Sequence, residues 1–543
     1  MQEKDFVNQP KFIHDKPTTG HNGGPPLNEL DGVGSYNKDP ERPDRPEDIT
    51  SHMTRGGPGD DSRPGEVNTK AWWQDLSDKG KDNAMYKNSI VQMAKRKDIW
   101  FCTIPFTQIY SELDGKFKAC CFGEPSNKHW VGNTTLKSWM EDSTYMNSIR
   151  KEMLDPNSDH KAVNVICKRC KSDEAKYGRS RRTNCLKIHT NSHEFWDAIE
   201  KNVQLYQKSG TWTFDERICE VQLKIFGSEC NLDCYMCMHA NSTTRQNVAD
   251  KGVWNEKIFG MNDDNRKRQI DWIMKDKTKG QVEQIVELAP YIRSIKVIGG
   301  EPLIMKKHYE MLDALIDTGH AKDIRIKYQT NLTKTAKGKH SIFKYIPKFQ
   351  HVAMVASVDG VGPVIEYMRR RTNWQEVVDN IHLCKKFPNA VVDFNGLVSF
   401  LSVMRFYEVI DWCKENPVIS QLNWAMVDTP KHFRPENLPE PLKKELIPKY
   451  KDWPDIVACL ERPAEPDVDI QDIFDYLLKQ DNHYKGTKWE MNLFDVFPEL
   501  KPYYDPNRKV DPVRQEQVFQ EFDNEWDRLR ETNDTFDEFR SDE

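Results

Sequence analysis

The chain has 543 residues, of which 37% are hydrophobic and 30% charged, and a formal net charge of −6. That length suggests two to four domains at about 150 residues each, and a slightly acidic balance gives no reason to expect nucleic acid or an anionic membrane as partner. No apolar run reaches the roughly 18 residues of a spanning helix, and the opening MQEKDFVNQPKFIHDKP lacks a signal core; the expected compartment is the cytoplasm, where the 13 cysteines serve as thiolates, metal ligands or core residues rather than disulfides.

Residues 1–70 hold nine prolines and nine glycines without a hydrophobic period, which reads as a disordered tail. Residues 71–98, opening AWWQDL, read as a helical lead-in. Residues 99–195 are rich in cysteine and turns. Cys102 is followed by twelve residues, Gly115, four residues and Cys120, and later come Cys167 and Cys170 as C-x2-C. A turn at LDGK flanked by two thiols and closed by a C-x2-C knuckle supplies four thiolates. That number completes a shell for zinc or for a fully ligated iron–sulfur cube. SHEFWDAIEKNVQLYQ predicts a connecting helix, placed at 196–212.

From 213 to 430 β-rich runs alternate with helical patterns. The runs are ICEVQLKIF (218–226), SIKVIGG (294–300), DIRIKYQTN (323–331), HVAMVASVD (351–359), AVVDFNGLVS (390–399) and QLNWAMVD (421–428). The helical patterns include RQIDWIMK through VEQIVELAPYI, KKHYEMLDALIDTG, WQEVVDNIHLCKKF and RFYEVIDWCKEN. Such alternation implies βαβ units and a parallel α/β sheet. Six strands fall short of a closed eight-stranded barrel. Sites in such sheets lie at the carboxyl ends of the strands. Residues 431–543 read as a helical, acidic C-terminal extension.

The loop after the first of these strands, SECNLDCYMCMHA, carries Cys230, Cys234 and Cys237. Three thiolates can hold three irons of a four-iron cube and leave the fourth open to a ligand, as an open position does in a catalytic zinc site. The second strand ends in Gly299, Gly300, Glu301 and Pro302, where glycines allow close approach to the backbone and a carboxylate can receive an ammonium. The third ends in Thr330 and Asn331, the fourth in Ser357 and Asp359, and Arg369, Arg370 and Arg371 follow.

C-x3-C-x2-C after the first strand of a six-stranded α/β unit resembles the radical S-adenosylmethionine (radical SAM) superfamily, over about 213–430. The resemblance implies a partial (β/α)6 barrel and a [4Fe-4S] cluster on Cys230, Cys234 and Cys237 whose open iron binds S-adenosylmethionine. It also implies reductive cleavage to a 5′-deoxyadenosyl radical that abstracts hydrogen. It makes Gly299, Gly300, Glu301 and Pro302 the motif holding the methionine amino group. Thr330, Asn331, Ser357, Asp359 and one arginine, taken as Arg369, become cofactor contacts. One departure is Met236 where an aromatic residue often precedes the last cysteine. The Cys102, Cys120, Cys167 and Cys170 pattern resembles the SPASM/twitch auxiliary domains of the same enzymes. It is in the short, one-cluster form and stands before the barrel rather than after it. That implies an N-terminal, cysteine-rich α+β domain with an auxiliary [4Fe-4S] cluster, expected over the barrel mouth. The expected reaction is oxidation or crosslinking of a peptide or protein side chain. The alternatives are dehydrogenation or rearrangement of a small sugar-like or nucleotide-derived molecule, or a non-catalytic iron–sulfur module. An electron donor such as flavodoxin or ferredoxin is an expected partner.

Overall fold

The computed structural model describes residues 100–508 apart from 113–114, 156, 178–179, 191, 225–226, 238–240, 250, 252–279 and 428. The expected tail, the 71–98 helix, the RQIDWIMK segment and the end of the C-terminal extension lie outside the described residues.

In chain order the main strands are β1 (Gln108–Ser111), β2 (Lys116–Lys118), β3 (Pro125–Trp130), β4 (Cys219–Leu223), β5 (Ile292–Val297), β6 (Arg325–Thr330), β7 (His351–Ser357), β8 (Ala390–Val398) and β9 (Gln421–Met426). The helices used below are α1 (Lys161–Ile166), α2 (Lys168–Tyr177), α3 (Arg181–Thr190), α4 (His193–Ser209), α5 (Lys306–Asp317), α6 (Trp374–Cys384), α7 (Phe406–Glu415) and α8 (Ile470–Tyr484). Across the sheet the order is β9-β8-β7-β6-β5-β4-β1-β2-β3. From β4 to β9 every neighbouring pair is parallel and consecutive in the chain. All six strands expected from the alternation are therefore present, in a mixed α/β fold with a mostly parallel sheet.

The cysteine-rich segment joins the same sheet. β1 pairs parallel with β4, Gln108 opposite Glu220 and Ser111 opposite Leu223, and β2 and β3 continue antiparallel. The hairpin thus extends the sheet at the β4 edge. An unpaired edge of backbone N–H and C=O groups is a template for another strand, and β1 fills it.

Alternation gives each strand two faces. Leu223, Tyr328, Met354 and Phe394 are buried among apolar side chains on the face covered by helices. His308 of α5 bonds the Tyr328 hydroxyl at 2.8 Å, and Trp412 of α7 stacks on Phe394 at 5.4 Å. α6 shows how such a helix is specified. Asn373 caps it by accepting from Glu376 N at 3.0 Å, and Val377, Ile381 and Cys384 form its buried stripe. The opposite face carries Gln222, Lys296, Lys327, Asp393, Asn395 and Asn423, by register. A strand packed on both faces reads as continuous apolar residues; these strands keep one face polar. No helix among the described residues is long and apolar enough to cross a membrane.

Candidate active site

The thiol loop leaves the carboxyl end of β4 and folds back on the turn after β5. Glu301 N donates to Glu229 O at 2.7 Å, Thr243 N to Ser228 O at 2.9 Å and Cys237 N to Cys234 O at 3.0 Å. The two glycines serve this contact. Gly299 has φ +142° and a Cβ there would lie 3.0 Å from Gly227 O; a Cβ on Gly300 would lie 2.3 Å from Glu229 O and 2.6 Å from Ser228 C and O. The close approach inferred from the Gly-Gly pair is therefore made by the thiol loop's own backbone.

The three thiols are partly buried. Burial pushes the Cys230 thiol up to about 12, with Cys234 adding to the rise. Cys237 moves the same way through burial and then its two neighbours. Cys234 is also raised by burial, against the Arg369 guanidinium. Bare, the loop keeps its sulfurs protonated, and a bound metal supplies the charge that removes the protons. Asn331 Nδ2 lies 4.0 Å from Cys230 Sγ and Arg369 Nη1 lies 3.8 Å from Cys234 Sγ.

Arg369 is the arginine at the thiols. The short strands Asp233–Cys234 and Arg369–Arg370 pair antiparallel, Arg369 opposite Cys234. Arg369 Nε bonds Asp359 Oδ2 at 2.8 Å, and Leu397 N donates to the other Asp359 oxygen at 2.8 Å. Arg370 turns away to Asp481 at 2.6 Å, and Arg371 Nε reaches the Tyr484 hydroxyl at 3.3 Å.

Glu301 is 0% exposed. Its Oε1 accepts from Leu303 N at 3.1 Å and Thr330 Oγ1 at 2.7 Å, and its Oε2 from Asn331 N at 2.6 Å. Burial pushes this carboxyl up to about 7, opposed first by the Asn331 N–H. The side chain is sealed in and ties the turns after β5 and β6 together. Pro302 opens the 3-10 turn Pro302–Ile304. Asn331 Nδ2 also donates to Asn231 Oδ1 at 3.0 Å. Ser357 ends β7 on the polar face, accepting from Gln329 Nε2 at 3.1 Å.

A second support comes from the C-terminal extension. Asp233, next to Cys234, is 0% exposed and pairs with Arg245 at 2.9 Å. Its other oxygen accepts from Gln480 Nε2 and the Tyr484 hydroxyl, both at 2.9 Å. The Tyr476 hydroxyl donates to Tyr235 O at 2.6 Å, and Arg245 Nε donates to Cys237 O at 3.2 Å. Sequence reasoning missed this. Its trace was Tyr476, Gln480 and Tyr484, four apart and so on one side of α8.

The other four predicted thiols also come together. Cys102, Cys120, Cys167 and Cys170 line one cavity with Trp100, Arg181 and Arg182. Cys167 ends α1 and Cys170 lies in α2, while Cys120 sits in the turn between β2 and β3. Cys102 is raised by burial and then by Cys185; Cys167 is pushed to about 12 by burial and then Cys170. Among the described residues no three His, Cys, Asp or Glu side chains are placed to hold a single metal ion.

Residues 225–413 match the model of the Radical SAM superfamily. No curated protein matches the chain. Among solved structures, the chain is similar to Streptococcus suis SuiB bound to precursor peptide SuiA, at 15% identity over 59% of this chain and 58% of that one, with a TM-score of 0.28. In that alignment it spans less than two thirds of SuiB. SuiB bound to S-adenosylmethionine aligns at 14% identity over 74% of this chain and 75% of that chain, TM-score 0.28. TYW1 with a lysine-pyruvate adduct bound aligns at 12% identity over 41% of this chain and 70% of that one, TM-score 0.21.

Proposed function

We propose that this chain is a radical SAM enzyme with a second, auxiliary iron–sulfur centre. The observation that carries the reading is Cys230, Cys234 and Cys237 on one loop at the carboxyl end of β4, inside the matched region. The donor set fits the group: three cysteine sulfurs on one loop match a cluster that takes cysteine thiolates. When bound, an open-iron [4Fe-4S] cluster supplies the electron that cleaves S-adenosylmethionine to a 5′-deoxyadenosyl radical. The chain's own residues do the placing. Asp233, Arg245, Gln480 and Tyr484 hold the Cys234 end of the loop, and Gly299, Gly300 and Glu301 hold its start. Arg369, with one arm on Asp359, is the cation beside Cys234 for a cofactor carboxylate. Asn331 and Ser357 offer polar groups at neighbouring strand ends.

Cys102, Cys120, Cys167 and Cys170 hold the auxiliary [4Fe-4S] cluster in this reading. Their shared cavity and their C-x12-G-x4-C and C-x2-C spacing support it. Twitch-like modules of this kind favour oxidation or crosslinking of a peptide or protein side chain, with the second substrate electron passing to the auxiliary centre. A flavodoxin or ferredoxin supplies the first electron. The test is metal content. Anaerobically purified protein should hold about eight irons and eight sulfides, four of each per cube. Replacing Cys230, Cys234 and Cys237 by Ala should remove about half. Zinc in place of iron at the other four thiols would overturn the auxiliary-centre reading.

A further inference from the structure

Two consecutive arginines border the cavity of Cys102, Cys120, Cys167 and Cys170. Arg182 is committed to its surroundings: its Nε bonds Glu174 at 2.9 Å and its Nη1 bonds Phe101 O at 3.0 Å. Arg181, the first residue of α3, is 5% exposed. Among the described residues its Nε–H is buried without a hydrogen-bond acceptor. A buried donor left unmet is unfavourable, and an acceptor seated in the cavity would meet it. The charged groups nearest Arg181 are chiefly sulfurs. Burial opposes its charge, yet Cys185, Cys121 and Cys120, ahead of the Glu220 carboxylate, hold its pKa above the ordinary range. Cys185 follows Arg181 by four residues, so the two share one side of α3, and both are buried. The helix itself stands on the polar face of the sheet. Glu220 lies two residues before Gln222 on β4 and so on the same face, and His189 of α3 meets it there at 3.4 Å. Arg181 acts on that face as well: burial, then Lys327 and Arg181, pull Lys296 down to about 8. The thiol cavity and the polar face therefore meet at Arg181.

We propose that Arg181 donates a hydrogen bond to a sulfur of the auxiliary cluster and holds the reduction potential of that cluster up. The inference rests on the reading of Cys102, Cys120, Cys167 and Cys170 as the ligands of an auxiliary [4Fe-4S] centre. Reduction adds one electron to the cluster and makes it one unit more negative. A fixed guanidinium and an N–H donated to sulfur both favour the more negative form. Arg181 is suited to this because a guanidinium keeps its charge when buried and presents its donors in a rigid plane. In the proposed reaction the electron comes from the substrate radical, whose oxidation, with loss of a proton, completes the new bond. A centre that must take this electron gains from a raised potential, and Arg181 supplies it on the side that faces the polar strands.

A redox titration of the full, iron-loaded chain tests this, with dithionite as reductant and electron paramagnetic resonance as readout. The auxiliary signal is the one that survives replacement of Cys230, Cys234 and Cys237 by Ala. The reference point is the ambient potential that half-reduces this centre in the parent. There Arg181→Gln should lower the ratio of reduced to oxidised centre tenfold or more, which is about 59 mV for one electron. Arg181→Lys keeps a cation and should fall by less. Lys161→Gln, which removes a surface cation of α1 that is 65% exposed, should leave the ratio unchanged. Iron content is measured on each variant. An Arg181→Gln protein with full iron and the parent midpoint overturns the inference. Loss of the auxiliary iron from Arg181→Gln and Arg181→Lys alike also overturns it, assigning Arg181 to the fold. Iron kept by Arg181→Lys but lost by Arg181→Gln supports the pairing through retention of the cluster. A parent protein without an auxiliary signal removes the auxiliary-centre reading and this inference with it, whereas a signal whose midpoint ignores Arg181 removes the inference alone.

Discussion

Gly300→Ala tests how the thiol loop is held. The added methyl would lie 2.3 Å from Glu229 O and 2.6 Å from Ser228 C and O, all backbone atoms. To recover a 3.0 Å separation the Glu229 oxygen must withdraw by about 0.7 Å. No flexible side chain is there to absorb the shift, and overpacking of this kind costs about 1–3 kcal/mol. The same movement strains the 2.7 Å bond from Glu301 N to Glu229 O one residue from Cys230. We expect lower thermal stability and loss of about four of the eight irons, from the cube on Cys230, Cys234 and Cys237. Gly210→Ala is the control. Gly210 also has positive φ, +72°, but nothing lies within 4 Å of its would-be Cβ. It caps α4, so the variant should lose about 1 kcal/mol of stability and keep its iron. Iron analysis and thermal melts of both variants decide. A Gly300→Ala protein with full iron and parent stability would refute the claim that the glycines exist to seat the loop.

Arg245→Met should cost about 3–5 kcal/mol in chemical denaturation, because it leaves the buried Asp233 carboxylate without its cation; adding Asp233→Asn should recover a large part, and a single variant as stable as the parent would contradict the pairing. Glu301 is raised to about 7 in the folded chain from an ordinary 4.5. The folded state therefore keeps a proton that the unfolded chain gives up, and this contribution is full below about pH 4.5 and lost as pH rises through 7. Relative to Glu301→Gln, the parent should lose stability steadily as pH rises from about 4.5 to about 7 and hold a level difference outside that window; a flat difference from pH 4.5 to 7 would refute the raised carboxyl. Cys167→Ala with Cys170→Ala should keep about four irons and still cleave S-adenosylmethionine without substrate, yet fail to convert substrate; circular dichroism separates this from unfolding, since loss of a metal can unfold a small module.

Much of the core was legible because its signals are local. The six strands alternate in β-rich runs bounded by turns, and the three cysteines of the thiol loop lie within eight residues. The grouping of Cys102, Cys120, Cys167 and Cys170 was legible through spacing alone. What was hidden depends on contacts distant in the chain. β1 and β2 have four and three residues, too short to announce themselves, and Gln108 pairs with Glu220 more than a hundred positions away. The glycine motif showed that something must come close, not that the thiol loop itself does. Glu301 stands in sequence only as a carboxylate at a strand end; that Leu303 N of its own turn and Thr330 and Asn331 of the next enclose it depends on the fold. The three consecutive arginines were indistinguishable in sequence, and only the pairing of Arg369 with Cys234 separates them. The role of α8 was invisible because Gln480 and Tyr484 meet a residue some 250 positions earlier.

The most direct measurement is product analysis of the cofactor. Iron-loaded protein, reduced and kept anaerobic, is incubated with S-adenosylmethionine, and 5′-deoxyadenosine and methionine are quantified by chromatography and mass spectrometry. The account predicts equal amounts of both from the parent and neither from Cys234→Ala, whose loop has lost one of its three thiolates. A parent protein holding its full iron and releasing no 5′-deoxyadenosine, or a Cys234→Ala protein releasing as much as the parent, would contradict it.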